Sequence, residues 1–153
     1  MRIDYNKVAP EVMRAMMGLE HQVRQSGLES SLLDLVKLRA SQVNGCAYCI
    51  DMHSKDARAR GETEQRLYEL DAWREAPFYS ERERAALAWT EAVTLVASGH
   101  VPDEVYREVR ERFSEAELAN LTLAVVAING WNRLGIAFRA IPGPYKPAVK
   151  EPS

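Results

Sequence analysis

The stretch Leu35-Val36-Lys37-Leu38-Arg39-Ala40-Ser41-Gln42-Val43-Asn44-Gly45-Cys46-Ala47-Tyr48-Cys49-Ile50-Asp51-Met52-His53 changes character at its middle. Up to Val43, apolar residues recur at helical spacing. Asn44-Gly45 is a stop or turn signal. Beyond it, two thiols stand at i and i+3, and an imidazole stands four residues after the second. The pattern predicts one helix, a tight break, and a second helix from about Cys46 to Arg60 that ends at Gly61.

Outward from this stretch the same grammar repeats. Ser31 with Asp34 reads as a capping box that opens the helix through Leu32, Leu35, Val36, Leu38 and Val43. Pro10 suits the first turn of an earlier helix, with Val12, Met13, Met16, Met17, Leu19 and Val23 along it and Gly27 at its end. Thr63 caps a short segment through Leu70. The stretch from Arg74 to Tyr79 holds Pro77 and reads as a loop. Ser80 with Glu83 and Ser114 with Glu117 are two further capping boxes. The first opens a helix through Leu87, Trp89 and Val96 that Gly99 closes. Pro102 starts a shorter helix to about Phe113. The second box opens the most apolar helix, with Leu118, Leu121, Val125, Ile128 and Trp131 at spacings of three and four. No strand-period alternation of useful length occurs. The chain reads as all-α, one helical domain over residues 1–141 followed by a Pro-rich tail over 142–153.

Composition narrows the function classes. At about 150 residues per domain, 153 residues make one domain. Twenty basic and 22 acidic residues give a net charge of -2, without the basic excess expected of a nucleic-acid binder. The longest apolar run, Leu123 to Ile128, falls far short of the ~20 residues of a membrane span, so no membrane partner is expected. The N-terminus shows no apolar stretch after its first charges, which argues for a cytoplasmic protein.

The two cysteines are too few for a disulfide framework, and their closeness is the informative feature. Cys46 lies near a predicted helix start, where unpaired amides and the helix dipole favour a thiolate. A shift of Cys49 from a pKa of about 8.5 to about 7 corresponds to roughly 2 kcal/mol. His53, one turn on, is placed to accept or return the proton. Cβ atoms three apart on a helix are about 5–6 Å apart, whereas a disulfide wants about 3.5–4.5 Å. Closing the pair needs local distortion, easiest in a first turn, and suits turnover better than structural use. Three other readings stand beside this one. The cysteines are small buried apolar residues; or Cys46, Cys49 and His53 are three zinc ligands; or His53 is a surface residue beside Asp51, Lys55 and Asp56.

Residues 35–53 resemble the core motif of the AhpD-like alkylhydroperoxidases, of the carboxymuconolactone decarboxylase superfamily. The later stretch Ile128-Asn129-Gly130-Trp131-Asn132-Arg133-Leu134-Gly135-Ile136-Ala137-Phe138 resembles the late helix of the same group. The resemblance covers roughly residues 5–142. It implies an AhpD-like helical bundle that assembles as a homo-oligomer, trimer or hexamer. It also implies reduction of a peroxide or organic hydroperoxide without haem, flavin, metal or other cofactor. In that scheme Cys49 attacks the peroxide and becomes a sulfenic acid, Cys46 resolves it as a disulfide, and an external dithiol reductant regenerates the pair.

The resemblance also places His53 in a proton relay with a glutamate twelve residues before the first cysteine. This chain has Asp34 there, about 1.5 Å shorter in reach. Asp34 is therefore either a relay member or the cap partner of Ser31. Tyr48 occupies the position between the cysteines where some members carry a histidine, and a phenol is no neutral-pH base. Two alternatives belong to other classes: a lactone decarboxylase-like enzyme with incidental cysteines, and a non-enzymatic thiol redox sensor.

Overall fold

Two serines open two of the helices that build the core. Ser80 Oγ accepts from the Glu83 amide, while Glu83 accepts from the Ser80 amide in return. Ser114 and Glu117 do the same. Both capping boxes stand where the sequence places them. Each satisfies two otherwise orphaned donors and fixes a start point.

The computed structural model describes residues 1–148, and all regular structure among them is helical. The helices are α1 (Tyr5–Val8), α2 (Pro10–Arg24), α3 (Ser30–Asn44), α4 (Ala47–Ala59), α5 (Glu64–Tyr68), α6 (Glu81–Thr94), α7 (Val96–Gly99), α8 (Asp103–Arg110) and α9 (Glu115–Phe138). A single 3₁₀ turn, Leu70–Ala72, follows α5. The central α3 packs against α6, α9 and α4, and α9 also takes α2 and α6. One core cluster joins Val36, Trp89, Val109, Phe113, Leu121 and Val125. A second joins Leu35, Leu38, Leu70, Trp73, Tyr79 and Leu87.

The structure corrects several expectations. Helix α3 starts earlier than the Ser31 box requires. Its N-cap is Glu29, with no side-chain cap, so Ser31 lies inside the first turn and Asp34 caps nothing. The helix expected to reach Gly99 breaks at Leu95, and α7 is a separate turn. The stretch 74–79 is a loop, as expected, but it turns Ala76 and Tyr79 into the core beside Trp73. Irregular backbone can be buried only if its carbonyls find donors. The Arg84 guanidinium supplies them, to Trp73, Tyr79 and Ala76. Helix α9 is, by length and composition, apolar enough to cross a membrane, which the count of consecutive apolar residues missed. In the bundle one side of it packs into the core, burying Leu118, Leu121, Val125 and Ile128. The described part of the tail is extended and tied to α4. Gly143 N–H donates to Asp51 at 3.0 Å, and the Tyr145 hydroxyl donates to Asp56 at 2.7 Å. Residues 149–153 of the expected tail lie outside the described residues.

Candidate active site

The break between α3 and α4 builds the site. Gly45 adopts φ 68°, a left-handed conformation that costs glycine little, and closes α3. The chain turns at once, and the Cys46 amide donates to the Ser41 carbonyl at 3.0 Å. Cys46 is then the extended N-cap of α4, and Cys49 is its third helical residue. The expected local distortion therefore falls on Cys46, which leaves the helix. Its Cα lies 5.3 Å from that of Cys49, and the two form a disulfide. No side chain caps α4, so its first-turn amides are free to favour negative charge on sulfur.

The disulfide is buried, with Cys46 1% and Cys49 3% exposed. Helix α9 covers it at Gly135, where a Cβ would stand 3.1 Å from Cys46 Sγ and 3.5 Å from Cys49 Sγ. A side chain there would require the disulfide to give way by a few tenths of an ångström. The sequence signal was a small residue on a helix whose neighbours are bulky. A second contact holds the same helix end. Asn44 donates to the Asn129 and Asn132 side-chain oxygens at 3.0 and 2.8 Å, and Asn132 donates to Ser41 Oγ at 3.0 Å. Asn132 is fully buried.

His53 lies one turn beyond Cys49 on α4. It is 6% exposed, which removes the surface-residue reading. Its Nε2 is buried and has no hydrogen-bond partner among the described residues. Burial chiefly, and then the charges of Lys37 and Arg60, lower its pKa to about 3. At neutral pH His53 is therefore an uncharged imidazole that passes a proton on more readily than it keeps one.

Asp34 sits at the far end of the α3–α4 hairpin, on a surface cleft of about 160 Å³ shared with Ser31 and Arg60. Its carboxylate is gripped by the Arg60 guanidinium, with Nε at 2.7 Å and a second bond from the other arm. The site thus brings Cys46, Cys49 and His53 along one inner face of α4, while Asp34 pairs with Arg60. Arg60 and the buried Lys37–Glu20 ion pair, 2.6 Å apart, were not singled out by the sequence reading. A charged residue at 34 and another at 37, inside the buried run of α3, was the available signal. Among the described residues no three His, Cys, Asp or Glu side chains gather as a metal site would require, so the zinc reading has no fourth ligand to complete it.

Residues 10–92 match the carboxymuconolactone decarboxylase family. The chain is 50% identical to the uncharacterised protein YdfG of Bacillus subtilis over 136 residues, covering 89% of this chain and 92% of that one. A solved structure of ATU0492 from Agrobacterium tumefaciens, suggested to be an antioxidant defence protein AhpD, superposes with a TM-score of 0.91. It is 45% identical, covering 94% of this chain and 99% of that one. The debrominase Bmp8 shares the fold at a TM-score of 0.76 and 22% identity, covering 88% of this chain and 73% of that one.

Proposed function

The chain belongs to the carboxymuconolactone decarboxylase family, and from that premise we propose that it is an AhpD-like thiol peroxidase. The observation that carries the reading is the buried Cys46–Cys49 pair at the start of α4, with neutral His53 one turn on. Two cysteines held only as core filler would need neither free helix-start amides nor a buried imidazole beside them.

The cycle runs from reduced thiols. The Cys49 sulfur attacks the distal peroxide oxygen as its proton passes through the neutral His53 ring, which does not retain it. The O–O bond breaks, Cys49 becomes a sulfenic acid, and His53 returns the proton to the departing alkoxide, giving an alcohol. Cys46 attacks the Cys49 sulfur, the disulfide forms, and water leaves. An external dithiol then reduces the disulfide and is itself oxidised to a disulfide. Asp34 takes part through Arg60, whose charge reaches His53. The dependence on a dithiol pool fits the cytoplasm. A homo-oligomer, trimer or hexamer, belongs to the same proposal, with no nucleic-acid or membrane partner.

The test is steady-state reduction of an organic hydroperoxide with a dithiol donor. Wild type turns over and Cys49→Ser does not. Oxidation that stops after one equivalent makes the protein a sensor. Turnover that survives loss of both cysteines returns them to incidental residues and favours a lactone decarboxylase-like enzyme.

A further inference from the structure

One face of α3 is polar, although the helix stands at the bundle centre and its other faces bury Leu35, Val36 and Leu38. Asp34, Lys37, Ser41 and Asn44 recur at i, i+3, i+7 and i+10, so they share one face. Three of the four partners are already described: Arg60 for Asp34, Asn132 for Ser41, and Asn129 with Asn132 for Asn44. Lys37 is the member that the reaction scheme does not use. Its side chain is 12% exposed, and its ammonium donates to Glu20 of α2, itself 10% exposed, at 2.6 Å.

The register of the hairpin says what Lys37 faces. Helices α3 and α4 run antiparallel around Gly45. At the open end Asp34 meets Arg60, and at the closed end the Ser41 carbonyl meets the Cys46 amide. Position 53 lies midway between 46 and 60, and the residue opposite it on α3 lies midway between 34 and 41. That places the Lys37–Leu38 step across from His53, and of the two only Lys37 carries a charge, which acts on the ring. An ion pair buried among α2, α3 and α4 gives little net stability, because desolvation offsets the attraction. A charge retained there needs a second reason.

We propose that Lys37, anchored on Glu20, is a positioning residue of the thiol site: its buried ammonium faces His53 across the hairpin and holds positive charge where the Cys49 thiolate forms. The role rests on the thiol chemistry proposed above, but not on peroxide being the substrate. It also assigns the work of the family's relay position differently. Asp34 is taken up by Arg60 beside the surface cleft, and Lys37 is the charge that acts most on the imidazole. The other charge that acts on His53 is Arg60, the C-cap of α4, itself paired with Asp34 of α3. Lys37 and Arg60 both act on His53 in the direction that the geometry predicts, towards the uncharged ring.

The sign of the effect separates this role from a structural one. Removing the cation should raise the pKa of both Cys49 and His53. Removing its counter-ion should lower both. Loosened packing moves a group towards its ordinary value whichever partner is lost. The experiment uses reduced full-length protein. Iodoacetamide alkylation of Cys49 is followed against pH by peptide mass, and the His53 ring proton is titrated by NMR, assigned with His53→Gln. Lys37→Met should move the Cys49 midpoint up by about one pH unit, about a tenfold loss of rate near neutrality. Glu20→Gln should move it down, and Lys37→Arg should restore it. If Lys37→Met fails to fold, Glu20→Gln, which keeps the ammonium, carries the test. Shifts of the same sign in both variants, or none in either, overturn the proposal. A wild type that reduces no peroxide but shows the opposed shifts sustains Lys37 and defeats the peroxidase reading alone. Peroxide turnover without the shifts does the reverse.

Discussion

His53 sets the acid side of stability. Its ordinary pKa is 6.5, and in the folded chain it falls to about 3. Above pH 6.5 the ring is neutral in both states and nothing is lost. Below it the unfolded chain takes a proton that the folded chain refuses, so stability falls with pH down to about 3. One such group costs about 1.4 kcal/mol per pH unit, or about 2 kcal/mol between pH 6.5 and 5. The carboxylates whose pKa is lowered, Glu83 and Glu91 among them, have an ordinary value of 4.5 and lose their share only below it. Urea unfolding at pH 7, 6 and 5 should therefore show a slope that His53→Gln removes, and an unchanged slope would mean that the ring is not buried neutral. The α9 glycines give a second test, by contrast. At Gly135 an added methyl meets a disulfide pinned between two helices. Overpacking there costs about 1–3 kcal/mol, against about 1 kcal/mol gained in helix propensity. At Gly130 the methyl would meet Met16 Cε at 2.9 Å, the end of a flexible side chain that can swing aside. Gly135→Ala should lower the melting temperature, and Gly130→Ala should hold or raise it. The reverse order would mean that the cysteine turn yields more easily than Met16.

Helix pairs carry the next level, and the α3–α4 hairpin is the informative one. Asp34 is 8% exposed on its side chain while Arg60 is 42% exposed, so only one member of the pair is committed to the interior. Asp34→Asn leaves Arg60 free to turn to solvent, and the loss should be that of charged hydrogen bonds, about 1–3 kcal/mol. Arg60→Gln should cost more, because it leaves a buried carboxylate without its cation. Paired denaturation curves decide the order, and a larger loss for Asp34→Asn would show that Arg60 is the buried partner. At this scale local signals were legible when their partners were close in sequence. Ser80 with Glu83, Ser114 with Glu117 and Gly45 act within one turn, and each does in the structure what its spacing announces. The Ser31 box failed because Asp34 found a partner 26 residues away, which no local rule can rank. The same limit hid how the 74–79 loop buries Ala76 and Tyr79, whose carbonyls accept from Arg84, and it hid the meeting of Lys37 with Glu20. Cys46, Cys49 and His53 were legible because one helix face holds all three. Gly135 was not, because its partner lies on a different helix.

At the scale of the whole molecule, α9 is more apolar than one chain has use for. The sequence marks it as the most apolar helix of the chain. Inside a single chain the cover is partial. Leu118, Leu121, Val125 and Ile128 are buried, but Val126 is 51% and Ile136 47% exposed. Ala119 and Ala137 are also exposed, and the charges on that outer side are Glu115 in the first turn and Arg133. Neighbouring helices already occupy the inner side, since α2, α3, α4 and α6 all pack on α9. A second copy of the chain is the partner that the homo-oligomer proposal supplies, with an interface centred on these residues. Obligate interfaces of that kind are markedly hydrophobic, and a charge at their centre is left without solvent or partner. Val126→Glu should therefore dissociate the assembly while the monomer keeps its helix content, because position 126 faces outward and leaves the core untouched. Light scattering at micromolar concentration reads the mass, and far-UV circular dichroism reads the helix. Wild type at the mass of one chain would defeat the assembly, and a Val126→Glu variant that stays associated would move the interface off α9.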